Sequence, residues 1–275
     1  MSSRQILDIL ATGHYETPSG RSVSIEQEQA AAEENTRLYS PDELVALRDT
    51  DPSGPRFSTS VEIVDATTQE AGHQWARPEG AAVLNFASAR NPGGGFLTGA
   101  VAQEEELCRC SGLYPTLLTQ RRYYDQNRSE TTLLYTDAII YSPRVPFVRV
   151  ATKKPLLEQP FFASVITAPA PNAGALARSE PHSAVHLRAT FERRWANVLA
   201  VAEHNRDRVL ILGAWGCGAF RNEPALVAES AKTMLSSRRF SGSFERIVFA
   251  IPGKGERSRQ NLQAFREVFA ASSLG

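Results

Sequence analysis

Short apolar runs alternate with segments of helical periodicity along most of this chain, and this alternation constrains its fold more than any other feature. The apolar runs, several rich in β-branched residues, predict strands at 60–65, 81–86, 138–141, 161–167, 208–214 and 244–251. The segments between them predict helices at 67–75, 181–203, 224–235 and 259–269. Uninterrupted apolar strands are typical of sheets that are covered on both faces. We therefore predict an α/β fold, in which a largely parallel or mixed sheet is sandwiched between helices.

The first fifty residues have a different character, because they are polar and rich in helix-forming residues. Residues 25–38 hold many Glu, Gln and Ala residues. Ser40 followed by Pro41 and two acidic residues predicts the start of another helix. The Pro- and Gly-containing segment 51–55 then predicts a boundary. We therefore predict a helical extension over residues 1–54 and a larger domain over residues 55–275.

Charge and cysteine content narrow the functional classes. The 275 residues hold 30 Lys plus Arg against 30 Asp plus Glu, and this balance gives no support to a broad electrostatic grip on nucleic acid. No stretch approaches the ~20 apolar residues that a membrane-spanning helix needs, and the first residues lack the pattern of a signal peptide. Three cysteines without a framework indicate reduced thiols. We expect a cytoplasmic protein that binds neither nucleic acid nor membranes directly.

A glycine-rich loop follows the predicted strand at 81–86. It contains Asn91 and then Gly93, Gly94 and Gly95. Three consecutive glycines suit a backbone that needs positive φ or that touches a ligand, and their N–H groups can face phosphate or sugar oxygens. A flexible surface loop is the alternative. The buried strand before the loop and an acidic cluster after it favour a binding site.

That acidic cluster comprises Gln103, Glu104, Glu105 and Glu106. A solvated helix start is the alternative interpretation, because the helix macrodipole favours negative charge at its N-terminus. The same dipole lowers the pKa of a carboxyl group. A carboxylic acid that donates a proton here would therefore need burial beside its ligand.

A second glycine-rich loop, residues 213–220, lies between the apolar run 209–212 and the predicted helix at 224–235. Glycines before a helix N-terminus are typical of phosphate cradles. The dinucleotide fingerprint is absent, since Arg221 stands where its third glycine would be, and no Walker phosphate loop occurs. At the end of another strand, Asp65 could accept a hydrogen bond from an adenine amino group. It could equally cap the helix that follows.

Metal sites are not indicated by the sequence. Cys108 and Cys110 are two residues apart and would point in different directions on a helix. His182 and His186 lack the glutamate of the zinc-protease motif. The chain offers no oxygen-rich cluster of the kind that magnesium needs. We expect a function that requires no metal and no cofactor.

Three glycines, then seven residues, then Gln-Glu-Glu resemble the hallmark of one family. Gly93–Gly95 precede Gln103-Glu104-Glu105 with this spacing, and the strand ending in Asp65 and the loop 213–220 occur in matching order. Residues 55–270 thereby resemble the macrodomain superfamily, and specifically the microbial-type (bacterial) poly(ADP-ribose) glycohydrolases. The first 54 residues resemble the extension that such proteins carry.

The resemblance implies a role for each of these residues. Glu105 would be the catalytic residue, Glu104 would position the ribose, and Gln103 would belong to the same substrate site. The other implied substrate-binding residues are Asp65 for adenine, Asn91 for a ribose hydroxyl, Gly93, Gly94 and Gly95 for the distal ribose, and Gly216, Cys217, Gly218, Ala219 and Phe220 for the diphosphate.

The implied activity is hydrolysis of the ribose–ribose O-glycosidic bonds of poly(ADP-ribose), with ADP-ribose as product. Glu105 would protonate the leaving oxygen and then, as a carboxylate, deprotonate the attacking water. A ring at Phe220 would hinder a polymer passing through the site, which favours cleavage from polymer ends. The implied substrates are the polymer and ADP-ribosylated proteins, in the context of the DNA damage response, and the enzyme would act as a monomer.

Three alternatives remain open at this stage. A hydrolase of single protein-linked ADP-ribose units would share the fold. A non-catalytic ADP-ribose reader would not require a Gln-Glu-Glu segment beside the sugar loop. A metal-dependent ADP-ribosyl hydrolase would require an Asp/Glu cluster that the sequence lacks.

Overall fold

A seven-stranded mixed sheet forms the centre of the protein, which is described by a computed structural model over residues 3–51, 54–77 and 80–270. The strand order is β3-β6-β7-β5-β8-β9-β4, and β1 and β2 form a separate hairpin. The strands are β1 His14–Glu16, β2 Ser22–Ser24, β3 Arg37–Tyr39, β4 Ser60–Val64, β5 Ala81–Ala87, β6 Ile139–Phe147, β7 Phe161–Pro169, β8 Val209–Leu212 and β9 Arg246–Ala250.

Helices cover both faces of this sheet. They are α1 Arg4–Thr12, α2 Glu26–Glu34, α3 Pro41–Asp49, α4 Thr68–Trp75, α5 Gln103–Cys110, α6 Leu113–Leu118, α7 Arg121–Ser129, α8 Ala173–Ser179, α9 Leu187–His204, α10 Pro224–Leu235 and α11 Glu256–Ala270. The predicted α/β sandwich is confirmed, and all six predicted strands are present. Five agree with their expected bounds within two residues, whereas β6 ends six residues later than predicted.

Two hydrophobic cores lie on opposite sides of the sheet. Adjacent strand residues point to opposite faces, so Leu84 and Phe249 join one core while Val83 and Val248 join the other. The first core packs against α3, α9, α10 and α11. The second packs against α1, α2 and α4–α7. Burial on both faces explains why these strands are apolar throughout.

Five neighbouring strands, β7, β5, β8, β9 and β4, run parallel. At one side β6 pairs antiparallel with β7, and β3 pairs antiparallel with β6. The carboxyl ends of the five parallel strands therefore meet at one edge of the sheet. In open α/β sheets this edge is where ligands bind. The loops singled out from the sequence all leave strands at this edge.

The N-terminal segment contains the predicted helices but also three short strands that the helical prediction did not include. Residues 25–38 form α2 and then β3, and β3 pairs antiparallel with β6 in the main sheet. Ser40 caps α3, as expected: its side chain accepts from the Glu43 N–H while Glu43 binds the Ser40 N–H. Pro52 and Ser53 of the predicted boundary lie outside the described residues, and the division at residue 54 stays a prediction.

Another difference concerns the long helix predicted at 181–203. Residues Pro181–His186 form a 3₁₀ helix, and the α-helix α9 begins only at Leu187. His182 and His186 therefore do not share an α-helical face. Among the described residues no group of three or more His, Cys, Asp or Glu side chains is arranged to hold a metal ion. No helix in the described ranges combines the length and apolarity needed to cross a membrane.

Candidate active site

A cavity of about 1100 Å³ opens at the carboxyl edge of the parallel strands. The segments that line it follow β4, β5, β7, β8 and β9, and the first turn of α5 completes its wall. The volume is slightly above the range of about 300–1000 Å³ that is typical of small-molecule sites. The two glycine-rich loops and the acidic cluster of the sequence therefore meet around one space.

Glu105 lies in the wall of this cavity, on the first turn of α5, and is 7% exposed. Its Oε1 accepts a hydrogen bond of 2.9 Å from the Gly95 N–H. Its Oε2 is buried and has no hydrogen-bond partner in the structure. One oxygen is thus fixed by the glycine loop while the other is unengaged, which suits a carboxyl group that exchanges a proton with a ligand.

Glu104 is held more completely by the protein. Its Oε1 accepts from Asn85 Nδ2 at 3.2 Å, and its Oε2 accepts from the Ser88 N–H at 2.7 Å. Burial nevertheless raises the pKa of Glu104 to about 8, and the charge of Glu105 adds to the rise. The pair therefore carries less than two full negative charges near neutral pH, which reduces its repulsion of an anionic ligand.

Gln103 fixes α5 to the end of β5. Its Oε1 accepts from the Phe86 N–H at 2.9 Å, and its Nε2 donates to Leu84 O at 2.8 Å and to Thr68 Oγ1 at 3.1 Å. The side chain also lines the cavity. Because both of its N–H groups already have protein acceptors, its contacts favour a role in positioning the two glutamates.

Glu106, the third acidic residue, ties α5 to the segment after β6. Its Oε1 accepts from the Thr152 N–H and its Oε2 accepts from Thr152 Oγ1, each at 2.7 Å. The four side chains at the start of α5 thus bind three parts of the protein: Gln103 and Glu104 bind β5 and its end, Glu105 binds the first glycine loop, and Glu106 binds the segment after β6. This arrangement fixes the rotation of the helix and aims Glu105 at the cavity.

The first glycine loop approaches the glutamates closely. Gly94 has φ +58°, and a Cβ atom there would lie 2.4 Å from Glu105 Oε1. The Gly94 N–H donates to Asn91 O at 3.0 Å, and Asn91 is exposed at the cavity wall. Gly94, Gly95 and Asn91 line the cavity, whereas Gly93 is buried behind them against Tyr114 and is not part of the lining.

The second glycine loop is organised by Asn222. Its Nδ2 donates to Gly216 O at 2.9 Å and to Pro171 O at 2.8 Å, which joins this loop to the segment after β7. Gly216, Gly218, Ala219 and Phe220 line the cavity, as the sequence predicts for a binding loop. Cys217 differs, because its side chain is fully buried in the core and lies outside the lining.

Phe220 stands at the cavity wall with its ring against Tyr135, at a centroid distance of 6.4 Å. Its carbonyl oxygen accepts from the Gly174 N–H at 2.9 Å. The ring contact and the backbone hydrogen bond join the second glycine loop to two neighbouring segments.

Asp65 is exposed beside the cavity rather than in its lining. It does not cap α4, since Thr67 does so in a capping box with Glu70. Asp65 Oδ1 instead accepts a hydrogen bond of 2.6 Å from the Gly253 N–H in the loop after β9. The helix-cap alternative is therefore wrong, and the other carboxylate oxygen remains available to a ligand.

Several residues of the site were not found from the sequence. Asn85 is fully buried on β5, where it binds Glu104 and Thr167 of β7. A polar residue inside an apolar strand was a signal that could have pointed to it. Ser88 and Tyr114 contribute to the wall from loop and helix positions that carry no such signal.

The cavity wall, within the described residues, includes no Lys or Arg side chain, and its charged members are Glu104, Glu105 and Glu106. An anionic group bound here would therefore interact mainly with backbone N–H groups of the glycine loops. The loops that could supply these N–H groups are the two glycine-rich loops, which come before α5 and α10.

Comparison with known proteins assigns the chain to one family. The sequence matches the family "microbial-type PARG, catalytic domain" over residues 3–150. A comparison with curated proteins found no match. The structure resembles poly(ADP-ribose) glycohydrolase (PARG) from Thermomonospora curvata at a TM-score of 0.91, with 39% identity and 97% of each chain covered.

Two ligand complexes are also similar. One is the T. curvata enzyme bound to the inhibitor ADP-HPD, with a TM-score of 0.89, 39% identity and 97% of each chain covered. The other is the Deinococcus radiodurans enzyme in complex with ADP-ribose, with a TM-score of 0.82, 42% identity, and coverage of 89% of this chain and 98% of that chain. The chain therefore belongs to the microbial-type poly(ADP-ribose) glycohydrolase family and is a glycosidase.

Proposed function

We propose that this protein hydrolyses the ribose–ribose O-glycosidic bonds of poly(ADP-ribose), mainly from polymer ends, with Glu105 as general acid and base. The observation that carries the proposal is the Glu105 carboxyl group. One oxygen is fixed by the Gly95 N–H, the other is buried without a hydrogen-bond partner, and the residue lines a cavity of about 1100 Å³. ADP-ribose is the product, and the same site binds it.

The chemistry requires one carboxyl group to act twice. Breaking the bond at the anomeric carbon passes through an oxocarbenium-like state, and the leaving ribose oxygen needs a proton. Glu105 donates that proton and then, as a carboxylate, removes one from the attacking water. Glu104 positions the ribose, because both of its oxygens are held by Asn85 and Ser88. The diphosphate of the ligand adds electrostatic stabilisation of the developing cation.

The remaining ligand contacts follow from the position of each loop. Gly94 and Gly95 contact the distal ribose, and Asn91 binds one of its hydroxyl groups. The loop from Gly216 to Phe220 offers backbone N–H groups to the diphosphate, and Asp65 accepts from the adenine amino group. The enzyme acts as a monomer in the cytoplasm, on polymer made in response to DNA damage. The free and buried state of its three cysteines suits a reducing compartment.

End-directed cleavage is supported by Phe220. Phe220 lies in the cavity wall, in the loop that we propose for the diphosphate, and its ring packs against Tyr135. We infer that this ring hinders a polymer that continues past the diphosphate. A terminal unit has no such continuation and fits the cavity. Phe220→Ala should therefore increase the share of internal cleavage.

Glu105→Gln tests the catalytic assignment, because it preserves shape but removes acid–base capacity. We expect the turnover of polymer to fall about 10²–10⁴-fold, with ADP-ribose affinity by calorimetry within about threefold. Glu106→Gln is the matched control. Its turnover of polymer should fall by no more than about tenfold, since Glu106 binds Thr152 rather than the ligand. A Glu105→Gln enzyme with near wild-type turnover would contradict the assignment.

The products test the reaction itself. Purified protein is incubated with polymer in excess chelator, and the products are separated by chromatography over time. We expect free ADP-ribose to dominate from the earliest point. Early release of long oligomers would contradict end-directed cleavage, and activity restored only by magnesium would contradict a metal-free reaction. A protein that binds ADP-ribose but leaves the polymer intact would be a reader.

A further inference from the structure

An uncharged loop forms part of the cavity mouth next to the catalytic helix. Residues 97–102, here called the rim loop, are all exposed and include Leu97 and Val101, which are 56% and 84% exposed. Both side chains line the cavity. The buried Arg109 donates to Ala100 O at 2.6 Å and so holds the loop in place. Apolar side chains grouped at the mouth of a site are typical of a ligand surface.

Two lysines follow Thr152, the residue that joins the segment after β6 to the first turn of α5. Lys153 and Lys154 follow Thr152, whose N–H and hydroxyl both bind Glu106 at 2.7 Å. Residues 152–154, here called the lysine turn, are closed by a hydrogen bond of 2.9 Å from the Lys154 N–H to Ala151 O. Both lysines are exposed, and neither forms an ion pair with any residue that the structure describes.

The N-terminal hairpin β1–β2 fixes the segment that carries the lysine turn. Glu158 accepts from Ser19 Oγ at 2.6 Å and from Arg21 Nη2 at 3.2 Å. Tyr15 donates its hydroxyl hydrogen to Leu157 O at 3.1 Å. The segment is therefore bound at Thr152 by α5 and at its far end by the hairpin. Two exposed lysine side chains are in this way presented from an anchored backbone.

Building on the proposed hydrolase activity, we infer that the rim loop and the lysine turn form a subsite for the leaving part of the polymer. The ribose oxygen that is released must lie near Glu105, so the unit attached to it leaves the cavity beside the first turn of α5. That unit carries an adenosine, whose base and sugar offer apolar faces to Leu97 and Val101. It also carries a diphosphate, whose charge is complementary to Lys153 and Lys154. The lysines thus supply the positive charge that the cavity wall lacks.

Two substrates distinguish the contribution of this subsite from that of the catalytic cavity. One is poly(ADP-ribose) of uniform length. The other is an ADP-ribose α-glycoside of a small neutral alcohol, whose leaving group has neither base nor phosphate. The variant is K153E/K154E, and the control is R206E/R238E, which changes net charge equally at exposed positions near the opposite edge of the sheet.

For K153E/K154E we expect the KM for polymer to rise about three- to tenfold at low salt, with a smaller difference at high salt. The kcat for polymer, the kinetics on the neutral glycoside and the affinity for ADP-ribose should change by less than about twofold. The control should match the wild type on both substrates.

A K153E/K154E enzyme with wild-type KM for polymer overturns the subsite, and so does an equal loss on both substrates or an equal effect of the control. If the wild type failed to cleave polymer, the proposed hydrolase function would be wrong. Binding measurements would then test the subsite, because K153E/K154E should still weaken the affinity for polymer but not for ADP-ribose.

Discussion

Gly94 and Glu105 are in direct contact, so closely that a Cβ atom at residue 94 would lie 2.4 Å from Glu105 Oε1. A side chain at this position would displace the carboxyl group from the cavity wall. The φ angle of +58° also disfavours any residue other than glycine. The glycine run therefore has a specific function at this residue, which is to allow the backbone to touch the proposed catalytic acid.

Gly94→Ala should lower kcat by at least about tenfold, because a small displacement of a reacting group has a large effect on turnover. The protein should remain folded by circular dichroism. Gly99→Ala is the matched control: Gly99 also has positive φ, at +88°, but a Cβ atom there would meet nothing within 4 Å. If both variants lost the same activity, backbone strain rather than contact with Glu105 would be the cause.

Thr152→Val should loosen α5 by removing the hydroxyl that binds Glu106. We expect the free energy of unfolding to fall by about 1 kcal/mol and kcat to fall several-fold, measured by urea denaturation and polymer turnover. Ser243→Ala removes a comparable hydrogen bond of 2.6 Å to Glu203. It should reduce stability without reducing kcat, and a loss of kcat in that control would make the effect one of general stability.

Asp65→Ala should weaken ADP-ribose binding about tenfold or more in calorimetry, the usual effect of losing a charged hydrogen bond. Asp65 also binds the Gly253 N–H, so the variant disturbs the loop after β9 as well. Asp65→Asn separates the two roles, because its Oδ1 can still accept from Gly253. If Asp65→Asn binds ADP-ribose as the wild type does, recognition of the adenine amino group is the wrong explanation.

Asp207 should make the free energy of unfolding depend on pH, independently of the active site. Burial raises its pKa to about 7 from an ordinary value of 3.8, although Tyr141 donates a hydrogen bond of 2.9 Å to it. Between these values the folded protein binds more protons than the unfolded chain does. The contribution of Asp207 to the free energy of unfolding therefore falls as pH rises from about 4 to 7.

Asp207→Asn should remove this slope while keeping an acceptor for Tyr141. As pH rises from 4 to 8, the free energy of unfolding of the variant should increase relative to that of the wild type by on the order of 2–4 kcal/mol. Urea denaturation at each pH measures this difference. Polymer turnover should be unaffected, since Asp207 precedes β8 at the edge opposite the cavity. Parallel pH profiles for the two proteins would exclude the buried acid as the cause.

Much of the fold could be predicted because its pattern is local. The apolar runs gave the six long strands and the glycines gave the loops at their ends. Strands β1–β3 are only three residues long, too short for a periodicity to appear, and β3 depends on a partner about 100 residues away. The long-range partners Thr152 of Glu106 and Gly253 of Asp65 were likewise invisible, because sequence spacing does not report contacts across the fold.

The predicted site residues show the same contrast between what short spacing predicts and what depends on the rest of the fold. Glu104, Glu105, Gly94 and Asn91 meet at the cavity, since short spacing keeps them on one loop and one helix turn. Cys217 lies within a binding loop in sequence, yet its side chain turns into the core. Membership of a loop can be predicted from spacing, but the direction of each side chain depends on the packing beneath it.

The cavity wall offers backbone N–H groups, and no lysine or arginine among its described residues, to the diphosphate that we propose it binds. Alanine scanning would therefore leave the phosphate contacts intact and underestimate their contribution. Amide-to-ester replacement at Gly218 or Ala219, by chemical ligation, would delete single N–H donors instead. The same architecture implies that a competitive inhibitor gains specificity here from the shape of its diphosphate mimic rather than from its charge.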